Sequence, residues 1–371
     1  MEMRNMFLAL RELQHAKLRY LLIGFIMVLI AWLVLFVTGL AQGLSSDNAS
    51  SIQNMKADYL VLQEESDHRI NRSVLTDEIW NEVQSRPGGN PATPLGVHMS
   101  TLTKKGSAAK FDAAFFAIDV ESMLAPRVVE GTLISNADTD LVMADRSLKE
   151  DGYRLGDQVV DQATGATFTI TAFTEGQSFS HAPVIHMSFE GWKALQPNQA
   201  KPAPIYNAIA WNGTPEQKEA LVRDVSSIEI ITKEEALQGI PGFQEEQGSL
   251  IMMIVFLFVI AAFVLAVFFY VMTIQKMNQF GVLKAIGAGT GYLVRSLIFQ
   301  VLTLTVVSLA ISIGLTYGVS LLLSGIVPFS LTPSVVLLCS LLFLAVSLMG
   351  SLLSLYRVVK IDAIEAIGRA A

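Results

Sequence analysis

The stretch QFGVLKAIGAGTGYLVRS, residues 279–296, decides the fold. It holds Gly287, Gly289 and Gly291 together with Lys284 and Arg295, yet it lies between two of the longest uncharged runs in the chain. Three readings compete for it: a phosphate-binding loop, a soluble linker, or a hairpin between two membrane helices. A Walker-type loop needs a strand before it, the pattern G-x-x-x-x-G-K-[ST] within it, and a helix whose N-terminus faces the phosphates. Here the glycines follow a long apolar run, and Tyr292 stands where the lysine would be. No other segment matches, so nucleotide binding by this chain is set aside.

Composition outside the stretch favours the membrane hairpin. The 371 residues are 52% hydrophobic and 16% charged, with a mean hydropathy of +0.47, too apolar for an ordinary soluble protein of this size. Four uncharged runs, residues 20–44, 249–275, 296–325 and 333–356, reach the roughly 20 apolar residues that a helix needs to cross a bilayer. The first has basic residues before it (Arg11, Lys17, Arg19) and small ones after it (Gly39, Ala41, Gly43), as a secretory signal would. Its apolar run exceeds the roughly 7–15 residues of a signal's core, which favours a retained helix.

Between the first two spans, residues 45–248 carry 29 acidic and 16 basic side chains, whereas the rest of the chain carries 4 acidic and 10 basic. Basic residues flank the spans at Arg4, Arg11, Lys17 and Arg19, at Lys276, Lys284 and Arg295, and at Arg357, Lys360 and Arg369. The positive-inside rule then puts both termini and an elbow at 276–295 in the cytoplasm, with 45–248 extracellular. Residues 1–19 place Met3, Met6, Phe7, Leu10 and Leu13 on one helical face, which suits either an interfacial amphipathic helix or a cytoplasmic extension of the first span. Residues 357–371 form a cytoplasmic tail.

The 45–248 segment reads as mixed α/β. Strands are expected at 58–63, 140–144, 157–162, 167–174, 182–189 and 228–232, and helices at 76–85 and 214–225, the latter opened by Thr214 as N-cap and Pro215. SRPGGNPATP, 85–94, reads as a turn-rich joint, and 233–247 as a helix broken at Gly239 to Gly242. The single cysteine, Cys339, falls in the fourth span, so this domain folds on its apolar core without a disulfide.

Catalytic chemistry finds no footing. Neither H-E-x-x-H nor G-x-S-x-G occurs, and the spans hold no Asp, Glu, Lys, Arg or His to relay protons or ions. His181 and His186 are expected on opposite faces of a strand, as structural or solvated residues. What remains is the elbow. Residues 275–288 form a short helix continuing the second span, with Phe280, Leu283 and Gly287 on one face and Lys284 beside it, and the three glycines then reverse the chain. Apolar side chains pointing into the cytoplasm need a partner to cover them.

The order of one span, a domain of about 200 residues and three further spans, with the loop QFGVLKAIGA (279–288), resembles the permease subunits of MacB/FtsX-type ABC transporters. Their loop reads roughly R-E-I-G-I-L-R-A-I-G-A, and IDAIEAIGR (361–369) is similar to their P-x-E-A-L-R tail. The resemblance implies a four-helix permease with an extracellular α/β domain, assembled as a homodimer in the lipid bilayer. It also implies a separate ABC ATPase subunit that binds ATP and magnesium, with docking through Phe280, Gly281, Leu283, Lys284, Ile286, Gly287 and Ala288. No catalytic site or intrinsic metal is expected in this chain, and no nucleic acid among its partners.

Residues 17–44 and 241–288 resemble more narrowly the haem-efflux and DevC-type permeases of that group. Haem is thereby implied as cargo. Candidate contacts are Phe36 for stacking, Met252 and Met253 for soft contact, Glu245 or Glu246 as an oxygen ligand or polar edge, and Met27 at greater depth. Two rivals stay open: an FtsX-like mechanotransmission permease that controls an extracellular partner without moving a substrate, and a membrane-anchored sensor.

Overall fold

The computed structural model describes residues 17–85, 91–195, 206–323 and 327–359. The segment before Lys17 and the IDAIEAIGR tail lie outside them. The chain runs α1 (Lys17–Gln53), β1 (Tyr59–Gln63), α2 (Asp77–Gln84), β2 (Ala92–Lys104), β3 (Lys110–Ile118), β4 (Val128–Gly131) and β5 (Leu141–Asp145). It continues with α3 (Ser147–Glu150), β6 (Gln158–Asp161), β7 (Thr167–Thr174), β8 (Ser178–Phe179), β9 (Ala182–Met187), α4 (Phe189–Trp192) and β10 (Ala208–Trp211). After these come α5 (Pro215–Asp224), β11 (Ile228–Thr232), α6 (Lys233–Gln238), α7 (Phe243–Gln275), α8 (Met277–Ala285), α9 (Thr290–Leu323) and α10 (Pro333–Val359). Two compact units result, Met1–Gly43 with Ser249–Ala371, and Leu44–Gly248.

In the first unit, α1, α7, α9 and α10 are each long and apolar enough to cross a membrane. Lipid gives helices no hydrophobic reason to associate, so small residues and side-chain hydroxyls set their contacts. Ser312 of α9 donates to the Val28 carbonyl of α1 at 2.9 Å, and Ser308 to that of Gly24 at 3.4 Å. Around them Met27, Ala31, Leu265, Phe269, Val301 and Phe343 form the core.

At the far end of α1 the small residues expected to resemble a cleavage signal do something else. Phe329 lies across Gly39, where an added Cβ would sit 2.4 Å from its ring. At Gly43 a Cβ would meet the Pro328 carbonyl oxygen at 2.1 Å, and Ser330 N–H donates to the Gly39 carbonyl at 3.1 Å. Because the obstruction at Gly43 is backbone, it has little room to give. Gly43→Val is expected to cost about 1–3 kcal/mol or more as overpacking, whereas Gly314→Ala, with open space around it, is expected to be neutral or mildly stabilising. Thermal unfolding of the detergent-solubilised chain separates them; equal midpoints would mean that the loop is not seated on the helix.

The second unit is an eleven-stranded sheet with central order β11-β1-β10-β2-β3-β9-β5-β7-β4, β6 pairing with β2 and β7, and β8 with β9. Pairing is antiparallel except for β3 with β9 and β5 with β7. Strand β3 is covered on both faces: Ala114, Phe116 and Ile118 join one core, Ala113, Phe115 and Ala117 another. Its continuous apolar run therefore lacks the alternation that marks a half-buried strand. Strand β2 carries Pro94 and Gly96, and the turn-rich joint expected over 85–94 gives way to strand from Ala92. The strand expected over 182–189 ends at Met187, because Ser188 caps α4 by accepting from Gly191 N–H. The box at Thr214 forms as its spacing requires, with Gln217 as the reciprocal partner.

Candidate functional site

Helix α7 ends at Gln275, Lys276 breaks the line, and α8 begins at Met277, so the elbow helix is a separate short element. It closes at Ile286, and Gly287 takes φ +97°, the left-handed conformation that ends helices. One such residue suffices for the reversal. Gly291 already lies in α9, which starts at Thr290 and not near 296 as the uncharged run suggested.

The expected outward face is corrected by the packing. Phe280 is 4% exposed and forms a cluster with Leu293 and Leu297, with Leu283 partly buried against it. These side chains fasten α8 to the first turns of α9 and do not point away from the bundle. The residues left on the surface are Val282 at 56% and Ile286 at 76% exposure, with Ala285 and Gly287 also exposed, while Lys284 and Ala288 are half-buried and Gly281 is buried. Helical spacing explains the split: 280 and 283 share one face, and 282 and 286 another, with Gly287 beyond the helix end.

Beneath the elbow lies a polar cluster that the sequence reading missed. Lys276, only 2% exposed, donates to Gln300 Oε1 at 2.7 Å, and Gln300 Nε2 donates to the Tyr20 hydroxyl at 2.6 Å. The ammonium also stands 5.4 Å from the centre of the Tyr20 ring. The junction between α7 and α8 is thus tied to α9 and α1 through one buried charge. The available signal was Gln300, the one side-chain amide in the uncharged 296–325 run, where such polar groups are retained for a reason.

The candidate cargo contacts are divided between the two units. Met27 is fully buried in the helical core and has no open surface. Phe36 is half-buried, with Phe329 stacked on it at 5.6 Å and Trp32 at 5.9 Å. Met252 and Met253 are exposed on α7. In the inserted unit Glu245 is exposed, and the Glu246 carboxylate accepts from Asn48 Nδ2 at 2.7 Å and meets His181 Nε2 at 3.3 Å. The other ring nitrogen of His181 lies 3.1 Å from Asp47, so one imidazole bridges two carboxylates. His181 sits in a turn with φ +59° just before β9, and His186 lies inside the strand.

Residues 251–363 match the family model described as FtsX-like permease C-terminal. Over its length the chain is 31% identical to a Staphylococcus haemolyticus permease named HrtB for a hemin transport system, across 97% of this chain and 99% of that one. The Staphylococcus epidermidis protein of the same name is 28% identical with the same coverage. An uncharacterised ABC transporter permease of Mycobacterium tuberculosis is 24% identical over 98% of this chain and 99% of its own. Among solved structures, the periplasmic region of MacB from Actinobacillus actinomycetemcomitans aligns with 50% of this chain and 93% of its own, at 13% identity and a TM-score of 0.37.

Proposed function

The chain belongs to the family of ABC transporter permeases with an FtsX-like C-terminal region, and on that premise we propose that it is the membrane subunit of a haem-efflux pump powered by a separate ATPase. The observation that carries the transport reading is the elbow. A short helix packed firmly at its base presents Val282 and Ile286 on the opposite face. That is the arrangement of a lever, rigid where it is held and apolar where it is gripped. Closure of an ATPase dimer presses on this face, and the force enters α9 through Phe280, Leu293 and Leu297, and α1 through the Lys276–Gln300–Tyr20 chain.

The basic residues around the spans orient the elbow and termini toward the cytoplasm and the inserted domain outward. Helix α7 is the barest of the four spans, and its exposed row from Ile251 through Phe256, Ile260 and Phe263 faces lipid or a second copy of the chain. Two permease chains with two ATPases make the working unit.

Haem is the cargo that the HrtB relatives' name supports. The described spans offer no charged pore, so an amphiphilic porphyrin enters sideways from the lipid, meeting Phe36, Met252 and Met253. Phe36 already stacks on Phe329, and the porphyrin contacts its free side or displaces that ring. Cells deleted for this chain are expected to accumulate hemin and stop growing at hemin concentrations the parent tolerates, with tolerance restored by the intact gene. Equal hemin content and equal growth in deletion and parent would sink the cargo assignment.

A further inference from the structure

Helix α1 is helical throughout except at Ala49, where φ −147° and ψ 15° break it inside the inserted unit. Alanine is the best helix former, and no proline or glycine lies between Leu44 and Asn54, so the break does not arise from the local sequence. A kink of that kind has its cause in a group inserted into the helical hydrogen-bond ladder. Here the group is the hairpin of β8 and β9. Ser180 N–H donates to the Asn48 carbonyl at 2.7 Å, and Ser178 N–H to Ser50 Oγ at 2.9 Å. Asn54 Nδ2 donates to the Gly176 carbonyl at 3.0 Å, and His181 Nδ1 stands 3.1 Å from Asp47. Positions 47, 48, 50 and 54 thus meet 181, 180, 178 and 176 in order, an antiparallel run of polar contacts that straddles the break.

The tip of the hairpin is strained. Strands β8 and β9 pair Ser178 with Pro183 and Phe179 with Ala182, which leaves Ser180 and His181 as a two-residue loop with φ +52° and +59°. Both are left-handed, as a type I′ turn requires, and such turns favour Asn-Gly. Other residues persist there only where their surroundings hold them, and strain of this kind concentrates at clamps and switches. What holds them here is the contact with α1, together with Glu246, whose carboxylate lies 3.3 Å from His181 Nε2 and accepts from Asn48 Nδ2 at 2.7 Å. These anchors are wet: the Asp47 and His181 side chains are 41% and 47% exposed, and Asn54 is exposed. Water takes their place when the hairpin lifts, which puts this segment among the parts of the unit that open most easily.

We propose that Ala49 is a hinge in α1 and that the β8–β9 hairpin is the latch that holds it bent. In the open arrangement Ser178 and Ser180 release α1, the two loop residues leave the left-handed region, and Ala49 adopts helical dihedrals. Relief of the turn and the helix preference of alanine favour opening. The polar contacts, and the burial of Ala49, Ile52 and Phe179 in one core, favour closure. Ser51, Asn54 and Met55, from the end of α1 onward, and Glu175, Gly176 and Gln177, before β8, all line a cavity of about 600 Å³, so release of the latch separates two parts of its lining. Every residue in the device lies between Leu44 and Gly248, and none of its contacts depends on what the permease carries.

Hydrogen–deuterium exchange of the full-length chain in lipid nanodiscs, resolved to single amides by electron-transfer fragmentation, tests the device. The Ser178 and Ser180 amides both donate to α1, so one opening exposes both, and they are expected to share one protection factor, below that of Ile185 inside β9. Ser50→Ala removes the acceptor of Ser178 alone. It is expected to speed exchange at Ser180 as well as Ser178, each about fivefold, with Ile185 unchanged. Ala49→Gly makes the helical state of the hinge less favourable and is expected to slow both amides about fivefold. The sign is diagnostic, because removing a fully buried methyl group would loosen a merely packed segment and speed its exchange. Unchanged exchange at Ser180 in Ser50→Ala overturns the latch, and unchanged or faster exchange in Ala49→Gly overturns the hinge.

Discussion

Ile286→Asp and Val282→Asp are each expected to abolish hemin efflux and co-purification with the ATPase while the permease remains in the membrane at its normal level. Both side chains are exposed, so a carboxylate there is solvated in the free chain and the fold is unaffected. The cost arises only on docking, when the charge is stripped of water against an apolar partner. Desolvating an unpaired carboxylate costs several kcal/mol, and even about 3 kcal/mol lowers an affinity more than a hundredfold. Phe280→Asp is expected to fail differently, because Phe280 is buried against Leu293 and Leu297. The charge would free α8 from α9, and the variant would lose thermal stability before its coupling could be measured. Pull-down of the ATPase with each tagged variant, together with quantification of the permease in membranes, separates the two outcomes. Full ATPase recovery with Ile286→Asp and Val282→Asp would remove the elbow as the docking surface.

The contrast between Phe280 and Ile286 also shows how far residue order carries a structural reading. The four spans and the inserted domain are legible because membrane thickness demands long uncharged runs, and any domain between them changes composition abruptly. Short amphipathic strands such as Thr167–Thr174, and capped helices such as Pro215–Asp224, are legible for local reasons: alternation and the Thr214 box lie within a few residues. Strand β3 is not, since burial on both faces removes its alternation, and β2 is obscured by Pro94 and Gly96. At the elbow, helical spacing correctly separates two apolar faces, but spacing cannot say which one packs on α9. That choice depends on Leu293 and Leu297, across the Gly287 turn.

Gln300→Leu is expected to destabilise the helical unit more than Lys276→Met, although lysine carries the charge. The Lys276 ammonium is almost wholly buried, and Gln300 Oε1 at 2.7 Å is one of the groups that hold it. Removing the amide takes an acceptor from a buried cation and also the donor from the Tyr20 hydroxyl, a loss of about 2–3 kcal/mol for a hydrogen bond to a charged group. Lys276→Met removes the charge together with its need for a partner, keeps most of the side-chain volume, and leaves the Gln300 to Tyr20 bond in place. Replacing a buried charge by a packed apolar group is often close to neutral, whereas stripping its partner is not. The double variant is therefore expected to be more stable than Gln300→Leu alone, a sign reversal that only coupled residues give. Thermal unfolding of the four proteins in one detergent measures the cycle. If the two losses simply add, the junction is not joined to α9 and α1 through this charge, and force from the elbow must reach α1 by another route.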